Sequence, residues 1–222
     1  MVPIMLQRWH EISFLHWSCD GSDVAPHLPP GIIPDLYEGK AWISLTPFLL
    51  RGLRSPLLPK WLGMDFPEMN LRTYVIGREG TGIWFFSLDA GKLSPVLGAR
   101  AAYGLPYYLA KMTAQVGKRA NIYTVRRNRT VRARIEVLKG PPIATPSALD
   151  VFLTARFRLY STWARRLITA KVEHPPWQLQ HAEISDLEEN VRAASRVAFP
   201  SGDFLAHHSI GVDTKISLPR LA

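Results

Sequence analysis

The sequence predicts a strand-rich α+β fold in a single domain spanning residues 1–222. Three observations carry that expectation. Apolar residues, rich in β-branched and aromatic types, alternate with polar ones in successive segments, which is the period of a half-buried strand. The glycine-rich run 75–82 joins two of the strongest such segments, as the turn of an antiparallel hairpin does. No Gly-x-Gly-x-x-Gly stands between a strand and a helix, and no Gly-Lys-Ser/Thr element is present, so a parallel nucleotide-binding sheet lacks its phosphate-cradling signals.

In chain order, strands are expected at 12–17, 40–50, 70–77, 82–88, 119–126 and 130–137. On the fourth, alternation puts Trp84, Phe86 and Leu88 on one face and Phe85, Ser87 and Asp89 on the other. Weak helical periodicity occupies 94–103. A second helix is expected from Pro106 to Thr113, because proline suits a first helical turn, and this would set Tyr107 and Lys111 on one face. Pro146-Ser147 can start a helix over 148–152. The segment 186–194 carries acidic residues where they would oppose the positive end of a helix. Alternation returns in 207–217, the expected last strand.

With 222 residues, 47% of them hydrophobic, the chain is long enough to bury a sizeable core without a linker. The lone Cys19 excludes an intramolecular disulfide and a cysteine zinc cluster, which fits a reducing cytoplasm. Arg8, His10 and Glu11 interrupt the apolar N-terminus, so neither a secretory segment nor a membrane span is expected. A net charge of +9 permits a nucleic-acid partner. The arginines at 126, 127, 129, 132 and 134 flank an expected hairpin turn and alternate with apolar residues. A solvated face that discourages edge pairing is the favoured reading, with nucleic-acid binding as a lesser alternative.

Beyond these patterns, motifs occur in a distinctive order. They include Phe14-Leu15-His16-Trp17, Leu28-Pro29-Pro30-Gly31, Asp35-Leu36-Tyr37-Glu38-Gly39-Lys40, Phe66-Pro67-Glu68-Met69-Asn70-Leu71-Arg72, Tyr103-Gly104-Leu105-Pro106-Tyr107-Tyr108 and His174-Pro175-Pro176-Trp177. This order resembles the uncharacterised YqjF-like family of bacterial proteins, itself similar in fold to acetoacetate decarboxylase. The resemblance implies an acetoacetate decarboxylase-like antiparallel β-barrel flanked by helices, a pocket for a small organic ligand with an anionic group such as a carboxylate, and no cofactor. A homo-oligomer is left open.

In acetoacetate decarboxylase an adjacent lysine pair forms a Schiff base. The resemblance sets Tyr107 and Tyr108 at those positions, and a phenol cannot form an imine. Decarboxylation of acetoacetate by that route is therefore not expected. Candidates for catalysis are Tyr107, Tyr108, Lys111 and His174. Candidates for ligand binding are Asn70, Arg72 and Tyr74, which alternation puts on one strand face, together with Ser87 and Asp89. The alternatives for Arg72 are structural pairing with Glu68 or Asp89. A divergent lyase or decarboxylase acting on a keto acid is the second functional reading. No Gly-x-Ser-x-Gly elbow supports a serine hydrolase, and the histidines, His207-His208 included, have no metal-ligand spacing.

Overall fold

Long strands organise the chain in its computed structural model, which describes residues 2–195, 197 and 202–222. The strands are β1 (Pro3–Cys19), β2 (Ile32–Pro34), β3 (Ala41–Arg54), β4 (Met64–Gly77), β5 (Gly80–Ala90), β6 (Tyr107–Leu109), β7 (Lys111–Val116), β8 (Ala120–Arg126), β9 (Arg132–Pro142), β10 (Arg158–Trp163), β11 (Arg166–Glu173), β12 (Gln180–Glu189), β13 (Leu205–Ser217) and β14 (Arg220–Leu221). The helices are α1 (Gly21–Val24), α2 (Leu93–Tyr103), α3 (Ala148–Thr154) and α4 (Val191–Ala194).

The strands pair in the order β11-β10-β5-β4-β3-β1-β13, and β13 pairs again with β11 through Val172 with Ile216 and Glu173 with Lys215. The sheet is therefore a ring. Most pairings are antiparallel, while β5 pairs in parallel with β10 and β6. The other end of β13 leads into β12, β9, β8 and β7. That second layer covers part of the ring's outer wall: Leu15, Ile43, Met69 and Leu71 share one buried apolar cluster with Tyr123, Val125, Ile135 and Val137. Tight curvature needs local relief, and Gly211 supplies it with φ +118° where β13 crosses β1. A Cβ there would stand 1.8 Å from the Trp9 carbonyl oxygen.

Three expectations are corrected. The segment 106–113 forms β6 and β7 rather than a helix, because β6 finds a partner edge: Leu88 donates to the Pro106 carbonyl and Ala110 to that of Ala90, both at 3.0 Å. Tyr107 and Lys111 consequently share no helical face. The segment 186–189 continues β12, held by antiparallel pairing with β9 and by the 3.1 Å ion pair of Asp186 with Arg134, so that only Val191–Ala194 is helical. In β5 the register slips by one residue, Leu71 opposing Ser87 and Arg72 opposing Phe85. Phe86 is the extra residue of a β-bulge, and the alternation expected there inverts around it.

The basic hairpin of β8 and β9 forms as expected, but one arginine turns inward. Arg127 Nε and Nη2 bind Asp89 Oδ1 and Oδ2 at 2.6 and 2.7 Å, a bidentate pair whose carboxylate is fully buried. It ties the second layer to the ring. Asp89→Ala should cost roughly 3–5 kcal/mol in urea unfolding, because a buried guanidinium is left unpaired. The double variant Asp89→Leu with Arg127→Met should recover most of that loss.

Candidate functional site

Inside the ring, β4 presents Glu68, Asn70 and Arg72 at alternate positions, and its intervening residues Met69 and Leu71 point into the outer core. These three polar residues line a cavity of about 60 Å³ with Gln7 and Trp9 from β1, Phe85 and Leu88 from β5, and Tyr107 from β6. The inversion at Phe86 is what brings Phe85 and Leu88 to this wall.

Arg72 is 7% exposed and forms no ion pair among the described residues; its Nε has no hydrogen-bond partner there either. Its guanidinium carbon instead lies 5.4 Å from the Phe14 ring centroid and 6.0 Å from that of Tyr74. Such stacking compensates only part of the cost of burying a cation. Asn70 Oδ1 is also buried without a partner among the described residues. A site with one unpaired guanidinium and one free amide oxygen is complementary to a planar anion bearing a donor or a bridging water.

Glu68, 4% exposed, accepts a 2.9 Å hydrogen bond from the Tyr107 hydroxyl. Burial, with a smaller push from the Asp89 charge, raises the Glu68 carboxyl to about 8 against the effect of the Tyr107 bond. Near neutral pH this side chain is therefore a carboxylic acid, which does not cancel Arg72 and can donate a proton. Burial and the Glu68 carboxyl together hold the Tyr107 phenol well above its ordinary value.

At the end of the ring capped by α3, Tyr74 donates to the Leu153 carbonyl at 2.7 Å and meets Ser44 Oγ at 2.6 Å. Ser44 in turn meets His16 Nδ1 at 2.6 Å. With the Tyr74 proton committed to Leu153, a consistent chain runs from His16 Nδ1–H through Ser44 to Tyr74, and leaves His16 Nε2 as an acceptor. Burial, helped by His207 and Arg72, holds the His16 imidazole well below its usual range, hence neutral. His207 Nε2 meets Asp150 Oδ1 at 2.9 Å, and the two imidazoles are 5.4 Å apart.

The residues expected from sequence thus separate. Asn70 and Arg72 line the cavity, with Tyr107 at its edge and Tyr74 beside Arg72. Ser87 and Asp89 lie on the opposite face of β5, opposing Leu71 and Met69, and Asp89 is occupied by Arg127. Tyr108 is 38% exposed, its ring beneath Arg127 at 3.9 Å. Lys111 is exposed and borders a surface depression with Arg126 and Arg129. His174 packs half-buried among Trp9, Phe157 and Trp177, and burial lowers its pKa. Among the described residues, no group of three His, Cys, Asp or Glu could hold a metal ion. Arg72 pairs with neither Glu68 nor Asp89. Glu68, Gln7 and Trp9 are the lining residues with polar side-chain atoms that sequence reasoning did not select; the alternation through Asn70 and Arg72, extended two residues back, reaches Glu68.

Residues 6–213 match the family described as DUF2071, uncharacterized conserved protein. The uncharacterized protein YqjF of Bacillus subtilis is 38% identical over 211 residues, which cover 93% of this chain and 87% of that one. Among solved structures, the enduracididine biosynthesis enzyme MppR complexed with pyruvate is similar at TM-score 0.71 and 14% identity, over 100% of this chain and 91% of that one. Acetoacetate decarboxylase from Legionella pneumophila gives 0.66 at 16% identity, covering 100% and 89%. An acetoacetate decarboxylase-like enzyme from Sphingomonas wittichii gives 0.65 at 11%, covering 100% and 95%. The acetoacetate decarboxylase-like fold is thereby established.

Because folding raises the Glu68 pKa from 4.5 to about 8, the native state holds a proton that the unfolded chain has released between those values. Stability contributed by this site is full below pH 4.5, falls as pH rises through the window, and levels off above 8. Glu68→Gln keeps an acceptor for Tyr107 but cannot ionise. Its stability, measured by thermal unfolding from pH 5 to 9, should gain on the wild type by roughly 3–5 kcal/mol at most across the window. Parallel pH profiles for the two proteins would mean that Glu68 is ionised in the fold.

Proposed function

The chain belongs to the DUF2071 family of uncharacterized conserved proteins, and on that premise we propose that it binds a small organic carboxylate inside the ring, anchored by Arg72, without forming an imine. The observation that carries this reading is a buried guanidinium with no carboxylate beside it among the described residues. A ligand carboxylate would supply the missing acceptors through the planar fork, Asn70 would fix its orientation, and a protonated Glu68 would not repel it. Support also comes from the fold, since a structural neighbour, MppR, is complexed with pyruvate.

Schiff-base chemistry lacks its amine. The residues lining the cavity include no lysine. Tyr107 hydrogen-bonds to Glu68, and Lys111 is exposed on β7, so an imine there would form in water rather than in the cavity. One observation favours the second reading, a lyase acting on a keto acid: an acid held neutral beside Tyr107 could deliver a proton to a bound enolate. Binding is the reading with the wider support, because it accounts for Arg72 and Asn70 as well.

Pyruvate is the probe. Isothermal titration should find that Arg72→Met weakens pyruvate binding about 10–100-fold, the range of a charge-assisted hydrogen bond, with Arg72→Lys falling between it and the wild type. Borohydride added to the protein with pyruvate should leave every lysine unmodified by mass spectrometry. Unchanged affinity in both variants, with the fold intact by circular dichroism, would make Arg72 a structural residue. A trapped lysine adduct would restore imine chemistry.

A further inference from the structure

A cavity of about 60 Å³ holds a head group and little more, yet it does not end the available space. A second cavity of about 410 Å³ lies beneath α2, and Gln7, Leu105, Tyr107, Leu159 and Ile216 line both. Their walls differ in chemistry. The outer one is built chiefly from aliphatic and aromatic side chains, among them Leu50, Leu53, Met64 and Phe66 from β3 and β4. Apolar surface left in contact with water in a pocket of this size favours occupation by an apolar group. Leu58 and Leu62 line it as well, and their neighbours Leu57 and Trp61 are exposed.

We infer that the two cavities form one binding site for a straight-chain acyl carboxylate, with the carboxylate at Arg72 and the hydrocarbon chain running past Tyr107 into the space beneath α2. This inference rests on the carboxylate-binding function proposed above and adds the class of ligand. A head no larger than a carboxylate or a 2-oxo carboxylate fits the inner space, and its charge meets Arg72 in place of a protein acceptor. The chain covers apolar surface that the pocket otherwise leaves to water. Flexible linings such as Met5 and Met64 suit a chain that can be accommodated at several lengths.

Titration with acetate, hexanoate, octanoate and decanoate, each below its micellar concentration, tests the joint site. Affinity should rise about fourfold per added methylene between hexanoate and decanoate, the fold-change for burying one such group. Ala99 of α2 lines the outer cavity, and Ala99→Trp should abolish that rise while leaving pyruvate binding intact. Arg72→Met should weaken all the carboxylates by a similar factor and preserve the rise. Should Ala99→Trp fail to fold, the chain-length series on the wild type still decides. Pyruvate binding with affinity flat in chain length would overturn the joint site and leave the Arg72 reading standing. Decanoate binding that Arg72→Met leaves untouched, with no pyruvate binding in the wild type, would overturn both.

Discussion

Burying the Arg72 guanidinium inside the ring is the constraint on which the site depends. A cation taken out of water must find an anion, acceptors or aromatic faces. Arg72 has the rings of Phe14 and Tyr74 and, among the described residues, no carboxylate partner. The two acids weighed as its partners are already engaged, Glu68 with Tyr107 and Asp89 with Arg127. Folding thus leaves Arg72 with unused binding capacity at the centre of the molecule.

The ring makes that arrangement tolerable by dividing each strand into two duties. Along β4, Met69 and Leu71 face outward into the apolar contact with the second layer, and their burial stabilises the fold. Glu68, Asn70 and Arg72 face inward, where wall polarity is open to the proposed ligand rather than spent in the core. Between the layers the polar groups are better matched. Glu11 accepts from Asn121 at 2.7 Å and from Lys139 at 2.5 Å, while Lys139 also donates to the Gly117 carbonyl at 3.0 Å. Burial alone would raise the Glu11 carboxyl, but hydrogen bonds from His208, Asn121 and Lys139, with the Lys139 charge, hold it down at about 2, whereas burial sends Glu68 up to about 8. Two acids in one protein are driven apart by how many hydrogen-bond donors reach them.

Local alternation was enough to find β1, β3, β4, β5 and β13 of the ring's wall, though not β10 and β11, and to set Asn70 and Arg72 on a common face. It failed wherever a distant partner decided the outcome. Tyr107 carries a helix-starting proline before it, yet the free edge of β5 captured its backbone. The segment 186–189 carries charges suited to a helix, yet β9 offered both a strand edge and Arg134. One extra residue at Phe86 reversed the faces of Ser87 and Asp89, and a single-residue bulge leaves no mark on composition. Ring closure depends on β11 meeting β13, a pairing between segments far apart in the chain, and the cavity beneath α2 is assembled from elements that meet only once the ring has closed.

The most direct measurement is a crystal structure of the protein grown with pyruvate, at a resolution that defines ordered water. The account predicts the pyruvate carboxylate within the ring, its oxygens about 2.7–3.2 Å from the Arg72 guanidinium nitrogens, and no covalent bond to a lysine. A protein acceptor satisfying Arg72 while pyruvate lies outside the ring would contradict it.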